Sequence, residues 1–197
     1  REHVFDFSLG NPSVPSPACV REEIDRLLAA MPAEVLHGYT SAAGAPDVRE
    51  AVADYIKTSF GVPMTADLVY MTCGAAASLT ITLNALCEEG DEFIVLTPYF
   101  PEYRVFIEAA GGVCREVKTD ARFHIDLAAV ENAINEHTKG ILVNSPNNPT
   151  GNAFPAQEIE SLLRRFDGIV VLDEAYMDFW NESMLKEVSE YDNLLIL

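Results

Sequence analysis

Two polar side chains follow separate apolar runs, and together they could hold a flat, positively charged ring. Asp173 comes directly after residues 169–172, where a carboxylate is costly to bury unless it faces a cation such as a protonated pyridine nitrogen. Asn148 stands in an Asn-Pro turn, which aims its amide outward as a donor to a bound oxyanion. Tyr176 could reach a phenolate-like oxygen on the same ring. These residue types predict a binding site for a charged heteroaromatic molecule.

Two further segments could complete such a site, although each also has a purely structural interpretation. Ala75 and Ala76 open a predicted helix after Gly74, and the free N–H groups at a helix N-terminus attract anions. A glycine at this position is equally consistent with an ordinary turn. Phe100 follows residues 93–96 and could stack on a ring, but aromatic side chains more often simply pack in a core.

The elements that must position these residues alternate along the chain. Apolar, strand-like runs are continuous, as expected for strands that are covered on both faces. Such alternation predicts an α/β fold with a mostly parallel sheet, in which ligands bind beyond the carboxyl ends of the strands. The predicted strands are 68–72, 93–96, 113–118, 140–143, 169–172 and 194–197, and the predicted helices are 19–31, 47–60, 75–87, 99–110, 127–135 and 157–166.

The composition favours a folded protein and excludes several classes of partner. The chain has 197 residues, of which 49% are hydrophobic and 22% charged, so a well-packed domain is expected rather than disorder. A formal net charge of -18 repels phosphate backbones and anionic lipid headgroups. No apolar stretch is long enough to span a bilayer. We therefore expect neither a nucleic-acid partner nor a membrane partner.

The cysteines and histidines show no spacing typical of a metal site. The four cysteines are Cys19, Cys73, Cys87 and Cys114, and no two of them form a C-x-x-C pair. The four histidines are likewise scattered along the chain. We expect no metal, reduced thiols and a cytoplasmic location. The even number of cysteines leaves a disulfide-bonded secreted domain as the alternative.

Taken in order, five short segments resemble the fold-type I aminotransferases of class I and II, which depend on pyridoxal 5'-phosphate (PLP). The likeness extends from about residue 4 to the last residue. Residues 173–179 look like the histidinol-phosphate aminotransferase branch, whereas 8–12 and 38–40 look like broader amino-acid aminotransferases, which leaves the substrate open. The five segments are Tyr39-Thr40-Ser41-Ala42-Ala43-Gly44, Gly74-Ala75-Ala76, Pro98-Tyr99-Phe100, Asn147-Asn148-Pro149-Thr150-Gly151 and Asp173-Glu174-Ala175-Tyr176.

The resemblance implies a PLP-transferase-like large domain, and it assigns cofactor contacts to particular residues. It implies that the ring nitrogen is kept protonated, so that the cationic ring can accept negative charge from the substrate. The implied contacts are the backbone of Ala75 and Ala76 with the phosphate, Phe100 with the ring face, Asn148 and Tyr176 with the phenolic oxygen, and Asp173 with the pyridine nitrogen.

The resemblance also implies a homodimer and a division into domains. Tyr39 corresponds to a residue that reaches the phosphate of the neighbouring subunit's cofactor, although it could instead be a simple loop aromatic. Gly10 and Asn11 fall where the N-terminal arm of the family approaches the substrate carboxylate, or they form only a turn. We expect residues 1–35 to contain this arm and the start of a small domain, and residues 36–197 an incomplete large domain.

The catalytic lysine of the family is not expected within this chain. That Schiff-base lysine follows the next strand, in a Ser-x-Ser-Lys or Ser-Lys setting, and the sequence stops within that strand. None of the lysines present has this context; they are Lys57, Lys118, Lys139 and Lys186. Without that lysine we assign no catalytic residue, and we expect the chain to be the N-terminal part of a longer enzyme.

The expected function is transfer of an amino group between an amino acid and a 2-oxo acid. Two alternatives use the same fold: a PLP-dependent lyase that eliminates a leaving group, and a non-catalytic module that binds a ligand or partner. A nicotinamide-binding domain is a further alternative, but the sequence lacks the G-x-G-x-x-G fingerprint. The amino donor and acceptor stay open, since the residues expected to select them lie largely outside this chain.

Overall fold

The computed structural model describes residues 14–197, which form two compact units divided after Ala42. The first unit contains helix α1 (Ala18–Ala30) and the short helix α2 (Ala33–Leu36). Each begins directly after a proline, which suits a helix start because the first turn needs no hydrogen-bond donor there. No helix in the described part of the chain is long and apolar enough to cross a membrane. The domain boundary expected near residue 35 stays a prediction.

The second unit is built on a five-stranded sheet in which all neighbouring strands run parallel. The strand order is β2-β1-β3-β4-β5, so the chain moves outward from β1 to β2 and then crosses back to β3. The strands are β1 (Glu92–Thr97), β2 (Val113–Lys118), β3 (Thr138–Asn144), β4 (Ile169–Asp173) and β5 (Leu194–Ile196).

Helices in this unit precede or connect the strands. Helix α3 begins with Pro46 at its first position and stops at Gly61, whose φ of 71° ends the helix in the left-handed conformation that glycine tolerates. The helices are α3 (Pro46–Phe60), α4 (Ala75–Leu86), α5 (Glu102–Ala109), α6 (Leu127–Ala133) and α7 (Ala156–Arg165), with 3-10 turns at Ala66–Leu68, Met177–Phe179 and Met184–Glu187.

The core consists of two apolar layers, one on each face of the sheet. Successive strand residues point to opposite faces, so Ile94 and Phe93 belong to different layers. Helices α6 and α7 cover the layer that contains Ile94, and helices α4 and α5 cover the layer that contains Phe93. Burial on both faces explains why the strand sequences are apolar throughout. The expected α/β fold, with a parallel sheet and helices on both faces, is confirmed.

Parallel pairing brings the ends of the strands to one edge of the sheet, the carboxyl edge. Asn144 and Asp173 are direct register partners at the ends of β3 and β4. Thr97, the last residue of β1, lies beside Lys118 at the end of β2. Residues that follow different strands in the sequence therefore meet in space at this edge.

Two sequence-based expectations about elements are wrong. Residues 68–72 do not form a strand: the 3-10 turn Ala66–Leu68 occupies the start, and the rest pairs with no strand among the described residues. Met71 donates one backbone hydrogen bond to the Ala43 carbonyl, which is too little for a ladder. The helix predicted from residue 99 begins only at Glu102, because Pro101 disfavours helical geometry at the residue before it, Phe100.

Candidate functional site

A cavity of about 140 Å³ opens at the carboxyl edge of the sheet, between the ends of β3 and β4 and the start of α4. Six of the nine residues predicted for the site line this one cavity: Ala75, Ala76, Phe100, Asn148, Asp173 and Tyr176. The other lining residues are Leu79, Tyr103, Asn144 and Ala175. Residues from four separate segments are thus brought together, and we take this cavity as the candidate site.

Asp173 supplies a buried carboxylate to the cavity. It is the last residue of β4 and only 4% exposed. Its Oδ1 accepts the Ala175 N–H at 3.0 Å, which shapes the turn after the strand, and its Oδ2 accepts the Tyr103 hydroxyl at 2.5 Å. The cavity lining contains no arginine, lysine or histidine. A carboxylate in this setting suits a ligand that brings its own positive charge.

Tyr103 is a hydrogen-bond donor to Asp173 that sequence reasoning missed. It belongs to α5, is 1% exposed, and packs edge-to-face against Phe100 with ring centroids 5.6 Å apart. Burial, and then the neighbouring charge of Asp173, raise the pKa of the Tyr103 hydroxyl, so it stays protonated and keeps donating. The only sequence signal for Tyr103 was its position three residues after Phe100, and an ordinary core residue of α5 would occupy the same position.

Asn148 and Tyr176 present two hydrogen-bond donors at the same cavity. The Asn148 Nδ2 donates to the Tyr176 hydroxyl oxygen at 3.4 Å, a long contact between two partly exposed groups. An amide N–H and a phenolic O–H that lie this close can converge on a single oxyanion. The structure therefore brings together the two residues that were predicted to contact the same oxygen. Both also line a second, apolar cavity of about 300 Å³ that contains Phe179.

The N-terminus of α4 borders the cavity and leaves backbone donors available there. Gly74 precedes the helix with φ 78° and ψ 177°, a conformation open essentially to glycine alone. No atom lies within 4 Å of where a Gly74 side chain would begin, so the approach to the helix end is open. The N–H groups of Ala75 and Ala76 belong to the first turn, where a helix provides no partner for them. Together with the helix dipole they form an anion-binding corner.

Of the other three predicted residues, Tyr39 is not among those that line this cavity. Tyr39 lies in the first unit, where its side chain is fully exposed. Gly10 and Asn11 lie outside the residues that the structure describes. In the described part of the chain, no group of three or more histidine, cysteine or acidic residues is arranged to hold a metal ion. All four cysteines are free thiols.

The residues around the cavity fit a flat, phosphorylated pyridine. A buried acid matches a protonated ring nitrogen, two convergent donors match a phenolic oxygen, and an aromatic side chain matches the ring face. The helix N-terminus matches a phosphate group. Each part of PLP therefore has a chemically suited partner among the residues present.

Glu174, next to Asp173, fixes the segment that follows the site. It is buried, and its carboxylate accepts the Ser183 hydroxyl and the Met184 N–H, the latter at 2.8 Å. These bonds draw residues 183–184 back toward the end of β4. Burial raises the pKa of Glu174 above its ordinary value, because the charged form is the one that loses solvation.

We expect the stability of the protein to depend on pH through Glu174. Because the pKa is raised in the folded state, the folded protein binds this proton more tightly than the unfolded chain does. The resulting stabilisation is complete below the unfolded pKa of about 4.3 and is lost as the pH rises through the folded pKa. Glu174→Gln cannot titrate. The free energy of unfolding of wild type, minus that of Glu174→Gln, should therefore increase as the pH falls from neutrality through the raised folded pKa toward the unfolded pKa of about 4.3.

Chemical unfolding at several pH values measures this difference. Glu190→Gln makes the same chemical change at an exposed position and is the matched control. A difference for Glu174→Gln that does not change with pH would contradict the expectation.

Comparisons with known proteins give a consistent result. The family model described as aminotransferase class I and II matches residues 2–197. The chain is 37% identical over 175 residues to the aspartate/prephenate aminotransferase of Thermus thermophilus, an alignment that covers 86% of this chain and 44% of that protein. It is 37% identical over 131 residues to the histidinol-phosphate aminotransferase of Parabacteroides distasonis, covering 66% of this chain and 38% of that protein.

The fold agrees with these sequence matches. The crystal structure of an aminotransferase from Eubacterium rectale superposes with a TM-score of 0.89 at 41% identity, over 98% of this chain and 52% of that one. The chain thus spans about half the length, or less, of the relatives it matches. The resemblance inferred from five short segments is confirmed over nearly the whole chain.

Proposed function

This chain belongs to the aminotransferase class I and II family, whose members depend on PLP, and we propose that it is the cofactor-binding part of a longer enzyme. That enzyme transfers an amino group between an amino acid and a 2-oxo acid. The observation that carries the proposal is the common cavity: Asp173 and Asn148, which follow different strands, both line it. A buried acid and an amide on one small cavity are what a pyridinium ring with a phenolic oxygen requires.

Each residue of the cavity has a proposed task. Asp173 holds a proton on the pyridine nitrogen, and its own bond from Tyr103 keeps the carboxylate oriented. Asn148 and Tyr176 donate to the phenolic oxygen. Phe100 packs against one face of the ring. When bound, PLP supplies an electron sink for the negative charge that develops on the substrate.

The phosphate is held by the start of helix α4. The backbone N–H groups of Ala75 and Ala76 donate to it, and the helix dipole adds a favourable field. The net charge of -18 gives the protein no general attraction for anions, so this local corner must provide the binding.

Several features of the whole enzyme are proposals that rest on the family. The enzyme is a homodimer in which Tyr39 reaches the cofactor phosphate of the neighbouring subunit; its full exposure in this chain leaves it free to do so. Gly10 and Asn11 approach the substrate carboxylate from an arm within residues 1–35, and residues 36–197 belong to the large domain. The free thiols of all four cysteines support a cytoplasmic location.

The experiment uses the full-length protein, PLP and candidate amino donors. The names of the relatives suggest aspartate and histidinol phosphate as donors, with a 2-oxo acid such as 2-oxoglutarate as acceptor. We expect the protein to develop a visible absorption band with PLP and to form the new amino acid only when the acceptor is present.

Other outcomes would contradict the proposal. Release of pyruvate and ammonia from a cysteine-type substrate, with no acceptor, would identify a lyase on the same fold. If PLP caused no spectral change, the result would favour the alternative of a module that does not use this cofactor.

A further inference from the structure

A buried amide at the end of β3 joins two of the segments that form the cavity. Asn144 is 5% exposed and lies beside Asp173 in the sheet register. Its Nδ2 donates to the Asp173 backbone carbonyl at 3.1 Å, and its Oδ1 accepts the backbone N–H of Asn148 at 2.7 Å. The Asn144 side chain thus fixes the backbone of both Asp173 and Asn148, whose side chains face the same cavity.

A second buried amide, that of Asn147, connects the turn after β3 to the segment that carries Phe100. Asn147 is 7% exposed, and its Nδ2 donates to the Pro98 carbonyl at 3.1 Å and to the Thr150 hydroxyl oxygen. Pro98 begins the turn that carries Phe100. Asn147 therefore links the turn after β1 to the turn after β3 by a hydrogen bond, directly beside Asn148.

These bonds differ from those that only stabilise a fold. Burying an amide is costly unless its polar atoms find partners, and a well-packed apolar side chain could fill the same space. Both amides instead donate across neighbouring strand ends: Asn144 from the end of β3 to the Asp173 carbonyl, and Asn147 from the turn after β3 to the Pro98 carbonyl after β1. Every polar side-chain atom that is buried in the described part of the chain has a partner, so the network is complete without any ligand.

We propose that Asn144 and Asn147 are positioning residues that hold Asp173, Asn148 and Phe100 in their relative places before the cofactor binds. The inference rests on the proposed function of the cavity. It follows that the site is preformed, since its three loops are joined by direct hydrogen bonds rather than through the ligand. In this role both amides act through the residues they hold, and Asn144 also lines the cavity.

The test compares these amides with a matched amide at the opposite edge of the sheet. Asn193 lies just before β5, and its Nδ2 donates to the carbonyls of Leu163, Phe166 and Gly168. Asn193→Ala therefore removes a bridging amide of similar kind at the amino ends of the strands. It reports the effect of lost stability alone.

Cofactor affinity and the pH titration of the bound cofactor's absorption are measured in the full-length protein. Asn144→Ala and Asn147→Ala should each weaken PLP binding by about tenfold and shift the pH at which the absorption changes. Asn193→Ala should lower the unfolding midpoint yet leave both cofactor readouts at their wild-type values.

A near-isosteric variant keeps the test decisive if Asn144→Ala does not fold. Asn144→Asp retains an acceptor for Asn148 but turns an oxygen toward the Asp173 carbonyl, so it should also weaken PLP binding. Wild-type affinity and titration in the folded Asn144 and Asn147 variants would overturn the inference, as would an equal loss in Asn193→Ala. Failure of the wild-type protein to bind PLP would instead count against the proposed function.

Discussion

Asp173→Asn is expected to lower the rate of amino transfer by about 10²- to 10³-fold, the usual cost of removing one preorganised electrostatic partner. Asparagine keeps the size of the side chain and can still accept from Tyr103 or Ala175. It carries no negative charge, so it cannot hold a proton on the pyridine nitrogen. A neutral ring accepts the developing substrate charge less well. Turnover should therefore fall much more than PLP binding.

The appropriate control lies five residues later on the same segment. Asp178 is exposed and lines neither cavity at the carboxyl edge, so Asp178→Asn makes the same chemical change away from the site. Steady-state kinetics of both full-length variants, with PLP saturating, provide the comparison. Equal rates for Asp173→Asn and Asp178→Asn would show that the buried carboxylate has no part in the reaction.

Ala76→Asp is expected to weaken PLP binding by about 10²- to 10³-fold, because it places a carboxylate at the proposed phosphate corner. At about 4 Å, two like unit charges near a protein surface repel by about 4 kcal/mol. The same charge interacts favourably with the dipole of α4, worth about 0.3–1 kcal/mol. The variant should therefore lose the cofactor while its cofactor-free form is as stable as wild type, or slightly more so. A substitution that only damaged the fold would lower both the PLP affinity and the stability of the cofactor-free protein.

Gln157 offers a matched position at the start of another helix. It is the second residue of α7, as Ala76 is of α4, and both side chains are exposed. Gln157→Asp should give the same small dipole effect without changing PLP affinity. Titration of the cofactor-free proteins with PLP, together with thermal unfolding, separates the two effects. Unchanged affinity in Ala76→Asp would place the phosphate elsewhere.

The sequence was most informative where parallel strands end. Asp173 and Asn148 each follow an apolar run, and parallel pairing requires such positions to meet at one edge. Their residue types then indicated which parts of a ring they could contact. The same reasoning located Phe100, which follows β1. Ala75 follows residues 68–72, which form no strand, and it borders that edge because it opens α4.

The parts that sequence reasoning missed depend on tertiary contacts. Tyr103 reads as a core residue of α5, and only the structure shows its hydroxyl on Asp173. Asn144 directly follows the predicted strand 140–143 without any signal of its own, although its amide donates to the Asp173 carbonyl 29 residues later in the chain. Residues 68–72 have the composition of a strand, but a strand also requires a neighbour, which a local pattern does not reveal.

The most direct test of this account is a crystal structure of the full-length protein with PLP bound. We predict that one Asp173 carboxylate oxygen lies within about 3.2 Å of the pyridine nitrogen, and that the Asn148 Nδ2 lies at a similar distance from the phenolic oxygen of the same ring. A ring bound elsewhere, or one that contacts neither of these side chains, would contradict it.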